Sequence, residues 1–410
     1  MAKRHKKKIK IKNLLAIIFI FIVIVIVIIP SKDKEEIVSK PDIKSMTISE
    51  IKDYASKNNI KINEKYEYNP NVSKNNIISV KENNNEIELV LSKGDYDDKY
   101  YSDLKVNELG KVPIMMYHSI VDTEDNKYTG GNVDKDGYNR TAKAFREDLE
   151  FYYENGNRMI RLDDYIHGLI DVPAGYSPII LTFDDGNADN AKVIGRNSDG
   201  SLQFDPNSAI GILEEFKKKH PDANATATFF VLQGIFNQGD YNKDIVNFLV
   251  DNGYDVGNHT LTHVNFTEVG SERSIKEVGK MYQILDSYLG DKYVHIVALP
   301  YGSPYKKEHD NYKHIISGNY EGYEYKTEAA LRVGWEPEVS PFNKKFDTSF
   351  LKRCRAYDNN GKEFDIEAVF KGLEKNRYIS DGDKNRIVIP SKEKDNLNSE
   401  YTNVRVYEEV

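Results

Sequence analysis

The chain has one cysteine, Cys354, in 410 residues. That excludes an internal disulfide and any metal site built on cysteine sulfur, and leaves histidine and carboxylate side chains as the ligand pool. Histidine is itself scarce, nine in all, and none follows His314. Tryptophan occurs once, at Trp335. No acidic residue precedes Pro30, while Lys3, Arg4, Lys6, Lys7, Lys8, Lys10 and Lys12 supply seven cations there; taking these from the formal net charge of −8 leaves −15 on the remainder. An acidic body is a poor match for nucleic acid, whose binding rests on neutralising phosphates.

Those cations lead into Leu14–Ile29, an uninterrupted apolar run. No small-residue cleavage site or lipobox cysteine follows it; Pro30-Ser31-Lys32-Asp33 comes directly after. With snorkelling lysines, Ile9 to Ile29 suffices for ~30 Å of hydrocarbon. Residues 1–30 therefore read as a cytoplasmic basic tail and signal-anchor helix, with a cleaved secretory signal as the competitor. Residues 31–40 are a juxtamembrane linker. The bias of positive charge puts the remainder outside the cell, on a single-pass anchor in the cell membrane.

Chemistry enters at Pro178-Ile179-Ile180-Leu181-Thr182-Phe183-Asp184-Asp185-Gly186. An all-apolar run suits a parallel strand covered on both faces, and two carboxylates follow at its carboxyl end, where sheets and barrels place their active sites. Gly257-Asn258-His259-Thr260-Leu261-Thr262-His263 comes after a helix end, a Gly253 stop and a short strand. Four residues apart, the two histidines would share one face of a helical turn. One carboxylate and two histidines make a protein ligand set for a hydrolytic zinc, and the second carboxylate remains as a base. Taken singly, an Asp-Asp-Gly turn or a surface histidine pair is the plainer reading of either motif.

Thr182–Gly186 and His259–His263 resemble the first two motifs of the polysaccharide deacetylases, carbohydrate esterase family 4. Ala227-Thr228-Phe229-Phe230-Val231 resembles the buried strand between them, and Pro300-Tyr301-Gly302 the core of the third motif. The resemblance spans roughly 111 to 390. It implies a distorted (β/α)7 barrel and metal-dependent removal of N-acetyl groups from N-acetylglucosamine polymers. Two features depart from the pattern. The third motif's arginine position holds Ala298, and the late strand Arg386-Ile387-Val388-Ile389 runs into Pro390-Ser391 with no histidine. Val112–His118, another apolar strand ending in a histidine, resembles the opening of the permuted branch that deacetylates poly-N-acetylglucosamine. If the barrel is permuted, that strand should lie beside Arg386–Ile389.

What the resemblance implies for the site is specific. Asp185, His259 and His263 hold a divalent cation, taken as Zn2+. Asp184 is the base, and His118 protonates the departing amine. The backbone N–H of Tyr301 stabilises the oxyanion. Trp335 lines the acetyl pocket or belongs to the core, and Arg353 supplies the charge missing at Ala298. The substrate is an N-acetylglucosamine-containing polysaccharide, peptidoglycan or poly-N-acetylglucosamine. A catalytically inactive wall-binding protein and an O-acetyl esterase on the same barrel are the rival readings.

Residues 41–94 read as a small α+β domain. Ile48, Ile51, Tyr54 and Ala55 sit at helical spacing before Asn58-Asn59, and strands follow at Ile60–Ile62 and Glu86–Leu91. This order, closing on Leu91–Gly94, resembles a PASTA domain, a glycan-binding unit in some proteins and a spacer in others. Residues 95–110 read as a polar linker and 111–410 as the catalytic domain. There, strands at Pro178–Phe183, Ala227–Leu232 and Val294–Leu299 alternate with helices begun by Thr141 and spanning Asp244–Asn252 and Ser274–Leu289, the pattern of a βα barrel.

Overall fold

The computed structural model describes residues 42–83, 85–122 and 132–410. The signal-anchor and the linker to residue 40 lie outside the described residues. Within them, no helix is long and apolar enough to cross a membrane. The chain divides into two units, Met1–Tyr96 and Asp97–Val410.

In the first unit, Thr47 caps helix α1 (Ile48–Asn58) through a reciprocal pairing with Glu50, and Asn59 ends it in the left-handed conformation. Three strands follow, β1 (Lys61–Glu67), β2 (Ile77–Asn83) and β3 (Glu86–Ser92). β3 is central, parallel to β1 and antiparallel to β2. Ile51 and Ala55 of the helix bury against Val80, Ile87, Leu89 and Leu91. The predicted helix and strands are present, with one more full strand than the sequence pattern gave.

The second unit is built on seven parallel strands: β4 (Ile114–Tyr117), β5 (Ser177–Phe183), β6 (Thr228–Val231), β7 (Asp255–Asn258), β8 (Ile296–Ala298), β9 (Ala329–Leu331) and β10 (Cys354–Arg355). They pair in the order β9-β8-β7-β6-β5-β4-β10. The edges meet through Leu351, which bridges Leu331 in parallel, while Cys354 and Arg355 pair with Met115 and Met116. Helices α2 (Ala142–Glu154), α3 (Ala209–Lys219), α4 (Tyr241–Asp251) and α5 (Ser271–Leu289) fill the connections from β4 through β8. This α/β arrangement fits the expected βα barrel.

Alternation along the strands sorts the core in two. Ile114, Ile180, Phe230, Ile296, Ala298, Ala329, Leu331 and Leu351 pack together inside the sheet. Met115, Tyr117, Ile179, Leu181, Phe183, Phe229, Val231 and Val297 pack with the helices. Successive side chains point to opposite faces. Continuing the inward series past the strand ends gives Ile114-Met116-His118, Ile180-Thr182-Asp184 and Leu351-Arg353, so the polar residues arrive at the mouth by strand parity.

Two expectations are corrected here. The late strand, Ile387–Pro390, lies outside the ring and pairs with Val404–Tyr407. The neighbours of the His118 strand are β5 and β10. An apolar run marks a buried strand without saying which sheet it joins. Nor is 95–110 a free linker: Asp98–Leu104 is helical, and Tyr101, Val106, Glu108 and Leu109 are buried. Glu108 accepts hydrogen bonds from Tyr378 Oη at 3.1 Å, Ser380 Oγ at 3.2 Å and the backbone N–H groups of Asp381 at 3.3 Å and Val388 at 2.7 Å. It thereby fastens this segment to the C-terminal strand pair.

Burial, and then the Asp381 carboxylate, push the Glu108 carboxyl above its ordinary value, more than its hydrogen bonds lower it. A carboxyl raised in the folded state keeps its proton longer there than in the unfolded chain. The contribution of this group to stability should therefore be fully present at acidic pH and fall as pH rises above the ordinary value of 4.5. Glu108→Gln should flatten that fall, whose limit is about 1.4 kcal/mol per pH unit. Denaturant unfolding of both proteins across this range checks it; identical slopes would place the pH dependence elsewhere.

Candidate active site

Asp184 and Asp185 follow β5 directly, and the backbone turns sharply between them and Gly186. Asp185 takes φ 75° and Gly186 φ 60°. A Cβ on Gly186 would lie 2.4 Å from the Ile235 carbonyl oxygen, so only glycine fits this exit. The turn separates the carboxylates: Asp184 is buried and Asp185 partly open.

Asp185 meets both histidines. Its Oδ1 lies 3.2 Å from His259 Nε2 and 3.4 Å from His263 Nε2. The helical turn expected for the pair is absent: residues 259–263 form a loop, with Thr260 at φ 71° and His263 at φ 61°. Two left-handed residues fold the chain back, and side chains hold the bend. Asn258 Oδ1 accepts from Thr260 N–H at 2.7 Å, and Thr260 Oγ1 accepts from His263 N–H at 3.1 Å. The histidines therefore converge through backbone curvature rather than helical periodicity.

The donor set fits a divalent cation. His259 Nδ1 pairs with the Ala298 carbonyl oxygen at 2.9 Å, which makes Nδ1 the protonated nitrogen and leaves a lone pair on Nε2. That Nε2 is buried and has no hydrogen-bond partner; its approach to Asp185 is close but misaligned. A buried imidazole nitrogen facing a carboxylate and a second imidazole, with no donor to satisfy it, is what a cation would complete. A second group within reach of one ion, Asp163, His167 and Glu328, is more exposed and sits before β9, away from the mouth.

Asp184 has a different partner. Arg353 donates from Nη1 and Nη2 to its two oxygens, both at 2.7 Å. The arginine also donates to the Arg332 carbonyl at 3.2 Å and to Thr182 Oγ1 at 3.3 Å, and is 0% exposed. Burial alone would raise the Asp184 carboxyl; Arg353, then His259 and His118, outweigh it and hold Asp184 well below the usual carboxylate range. The charge that the sequence assigns to Arg353 is directed at Asp184. The arginine is buried beneath Asp184 with its donors engaged, so it supplies charge to the carboxylate.

His118 completes the mouth. Its Nε2 is 3.9 Å from Asp184 Oδ2, and its Nδ1 pairs with the Gly137 carbonyl at 3.0 Å. Burial lowers its pKa more than Asp184 and Asp185 raise it. Tyr301, at φ 58°, sets its ring edge-on to His263 at 4.7 Å between centroids. Trp335 is 51% exposed, which removes the core reading, and its ring neighbour is Phe364 at 6.2 Å. Tyr138, Tyr301, Tyr305, Trp335 and Phe364 are the exposed large aromatics among the described residues of this unit. All five lie on segments that follow the carboxyl ends of β4, β8, β9 and β10.

The Arg353–Asp184 pair yields a stability test. Removing one partner of a buried ion pair typically costs about 3–5 kcal/mol, because the other charge is stranded. Arg353→Met should show a loss of that size in denaturant unfolding. Adding Asp184→Asn should recover part of it; two additive losses would mean that the residues are not coupled.

Residues 171–315 match the profile of the polysaccharide deacetylase family. No curated protein matches significantly. Among solved structures, the Streptococcus pyogenes deacetylase PplD in complex with acetate is 19% identical, with TM-score 0.46, over 64% of this chain and 98% of that one. A de-N-acetylase from Aggregatibacter actinomycetemcomitans is 14% identical, with TM-score 0.41, over 64% and 99%. The BpsB deacetylase domain from Bordetella bronchiseptica is 11% identical, with TM-score 0.37, over 61% and 96%. Likeness at that distance says nothing about substrate.

Proposed function

From the polysaccharide deacetylase domain at residues 171–315, we propose that the second unit is a metal-dependent hydrolase that removes N-acetyl groups from N-acetylglucosamine residues of a cell-wall or surface polysaccharide. The observation that carries this reading is the meeting of two sets of side chains at one mouth. Asp185, His259 and His263 offer ligands within reach of a single ion, and the Asp184–His118 pair offers proton acceptors beside them. The aromatic side chains around the mouth favour a sugar, whose C–H faces stack on such rings.

The residues that would hold the ion are Asp185, His259 and His263, and zinc suits this ligand set. When bound, it supplies Lewis acidity and a water acidified toward neutral pH. Asp184, kept ionised by Arg353, accepts the proton of the attacking water. His118, its Nδ1 turned to the Gly137 carbonyl, presents Nε2 toward the reacting atoms, and on this assignment its imidazolium form gives the Nε2 proton to the departing amine. The backbone N–H of Tyr301 donates to the developing oxyanion, an interaction worth on the order of 3 kcal/mol in comparable sites. Trp335 shapes the wall where the acetyl group or sugar lies.

One observation favours a second assignment of the protons. Both Asp184 oxygens are already held by Arg353, and burial lowers the His118 pKa, leaving Nε2 as the more open proton acceptor. On that assignment His118 takes the water's proton at Nε2 and passes it to the amine, while Asp184 stabilises the imidazolium between the two transfers. Kinship with the permuted branch rests on the resemblance at Val112–His118, since that strand lies beside β5 but not beside Arg386–Ile389, and the helix-and-three-strand first unit supports a PASTA-like stalk. With the basic start and apolar run, this makes a membrane-anchored, outward-facing enzyme the fullest form of the proposal.

Acetate release from chitooligosaccharide, poly-N-acetylglucosamine and peptidoglycan by the soluble second unit, with an O-acetylated glycan alongside, tests the activity. Release only from the O-acetylated glycan would favour the esterase, and none from any would favour a wall-binding protein. His263→Ala should lose bound zinc and nearly all turnover, because two protein ligands rarely retain a hydrolytic zinc. Asp184→Asn and His118→Ala should both keep zinc. A loss of ~10²–10⁴-fold in each fits separate base and acid roles, whereas a far smaller loss in Asp184→Asn points to His118 as the carrier of both protons.

Binding has its own readout. Trp335 is the chain's single tryptophan, so intrinsic fluorescence reports on one site at the mouth. Titrating the Asp184→Asn protein with chitooligosaccharide should shift or quench the emission, and Phe364→Ala should weaken the apparent affinity. Emission unchanged at saturating sugar would remove Trp335 from the substrate wall.

A further inference from the structure

We infer that Glu277, on the helix behind the histidine loop, is the residue that positions His263, and through it sets the affinity of the site for its metal. This inference rests on the metal-site reading above. Glu277 stands mid-way along α5 (Ser271–Leu289) and is fully buried. Its carboxylate is spent on one threonine of the loop. Oε2 accepts from Thr262 N–H at 2.7 Å, and Oε1 accepts from Thr262 Oγ1 at 2.8 Å. Its backbone carbonyl accepts from Leu261 N–H at 2.9 Å.

Arg273, one helical turn earlier, closes the group. Its Nη2 lies 2.7 Å from Glu277 Oε1 and donates to Thr262 Oγ1 at 2.8 Å. A carboxylate in a protein interior needs a counter-charge and donors, and Arg273 and Thr262 supply them. The residue next in the chain is His263, whose left-handed backbone stands only while its surroundings hold it. Asn258, next to His259 on the other side of the bend, donates to the Val278 carbonyl at 3.1 Å. Both ends of the histidine loop are thus moored to adjacent residues of one helix turn. Beyond the loop, Ser303 Oγ donates to Asn265 Oδ1 at 2.5 Å, which ties the same stretch to the turn carrying Tyr301. His263 is held between these moorings, and the Glu277 mooring is the one made by a buried charge.

The geometry separates the roles. Glu277 does not face the metal ligands; it fixes the backbone from which His263 projects. Loss of the carboxylate frees Thr262 N–H and Oγ1, lets the left-handed bend relax, and moves His263 relative to Asp185 and His259. Second partners of this kind typically govern metal affinity by ~10–100-fold.

The test is zinc affinity, measured by competition with a chromophoric chelator on the intact second unit, beside thermal unfolding of the metal-free protein. Glu277→Ala should weaken zinc binding by ~10-fold or more while the protein remains folded. Glu277→Gln can still accept from Thr262 N–H with its oxygen and turn its amide toward Thr262 Oγ1. It should therefore restore most of the affinity despite losing the charge. Should Glu277→Ala fail to fold, Thr262→Val, which keeps the backbone N–H and removes the hydroxyl, carries the test and should weaken zinc to a smaller extent. If the variants bind zinc as tightly as the parent while their metal-free unfolding temperature drops, Glu277 is merely structural and the inference fails. If the parent itself binds no zinc, the metal-site reading fails as well.

Discussion

Asp184 is a carboxylate out of reach of solvent, and removing such a charge from water costs several kcal/mol unless a counter-charge is in place. The guanidinium that offsets it comes from Arg353, on the strand that closes the ring. Much of the mouth depends on this pairing. It keeps Asp184 ionised and draws the Leu351–Arg355 segment against β4. It also leaves Asp185 as the carboxylate free to face the histidines. The arginine is itself held by Thr182 and the Arg332 carbonyl, so the charge pair has little freedom to reorient. Electrostatic preorganisation of this kind is effective because nothing has to move when charge develops nearby.

The mouth also concentrates backbone strain. Asp185, Thr260, His263 and Tyr301 all adopt positive φ without being glycine. Such residues persist only where their surroundings over-determine them. Each has an identifiable support: the Gly186 exit for Asp185, Asn258 for Thr260, Thr260 and the α5 mooring for His263, and packing on His263 for Tyr301. The strain brings side chains from three loops to one point, a task that helices and strands of ordinary geometry do not perform. The same bend leaves His259 Nε2 buried without a hydrogen-bond partner.

Much of this was legible in the chain. The apolar strands, their alternation with helices and the polar residues at their ends gave the barrel pattern and brought Asp184, Asp185, His118, His259 and His263 to one mouth. Parity accounts for His118 and Asp184, since every second residue of a placed strand is aimed inward, whereas Asp185 and His263 arrive through left-handed turns. Other features depended on partners distant in the chain. β10 has two residues and no apolar run, so nothing marked it as the closing strand, whereas Ile387–Pro390 carried a strong strand signal and joined another sheet. Spacing of four suggested a helix for His259 and His263, but the left-handed residues between them are stabilised by side chains whose roles spacing does not encode. Glu108 read as part of a linker because its partners lie some 270 residues further on. Glu277 offered only one signal, an acidic residue on the inner face of an amphipathic helix.

The ring closes through a strand whose arginine is 169 positions from the carboxylate it neutralises. This fixes the order in which the centre matures. A growing chain acquires its three prospective ligands by His263, with His118 already made, while the counter-ion for Asp184 is still to come. Until the segment at Leu351–Arg355 docks, Asp184 must stay hydrated or protonated, and the mouth cannot take its final form. Competence is thus coupled to completion of the barrel, so that a nascent or clipped precursor contains the chemistry's parts without being able to use them.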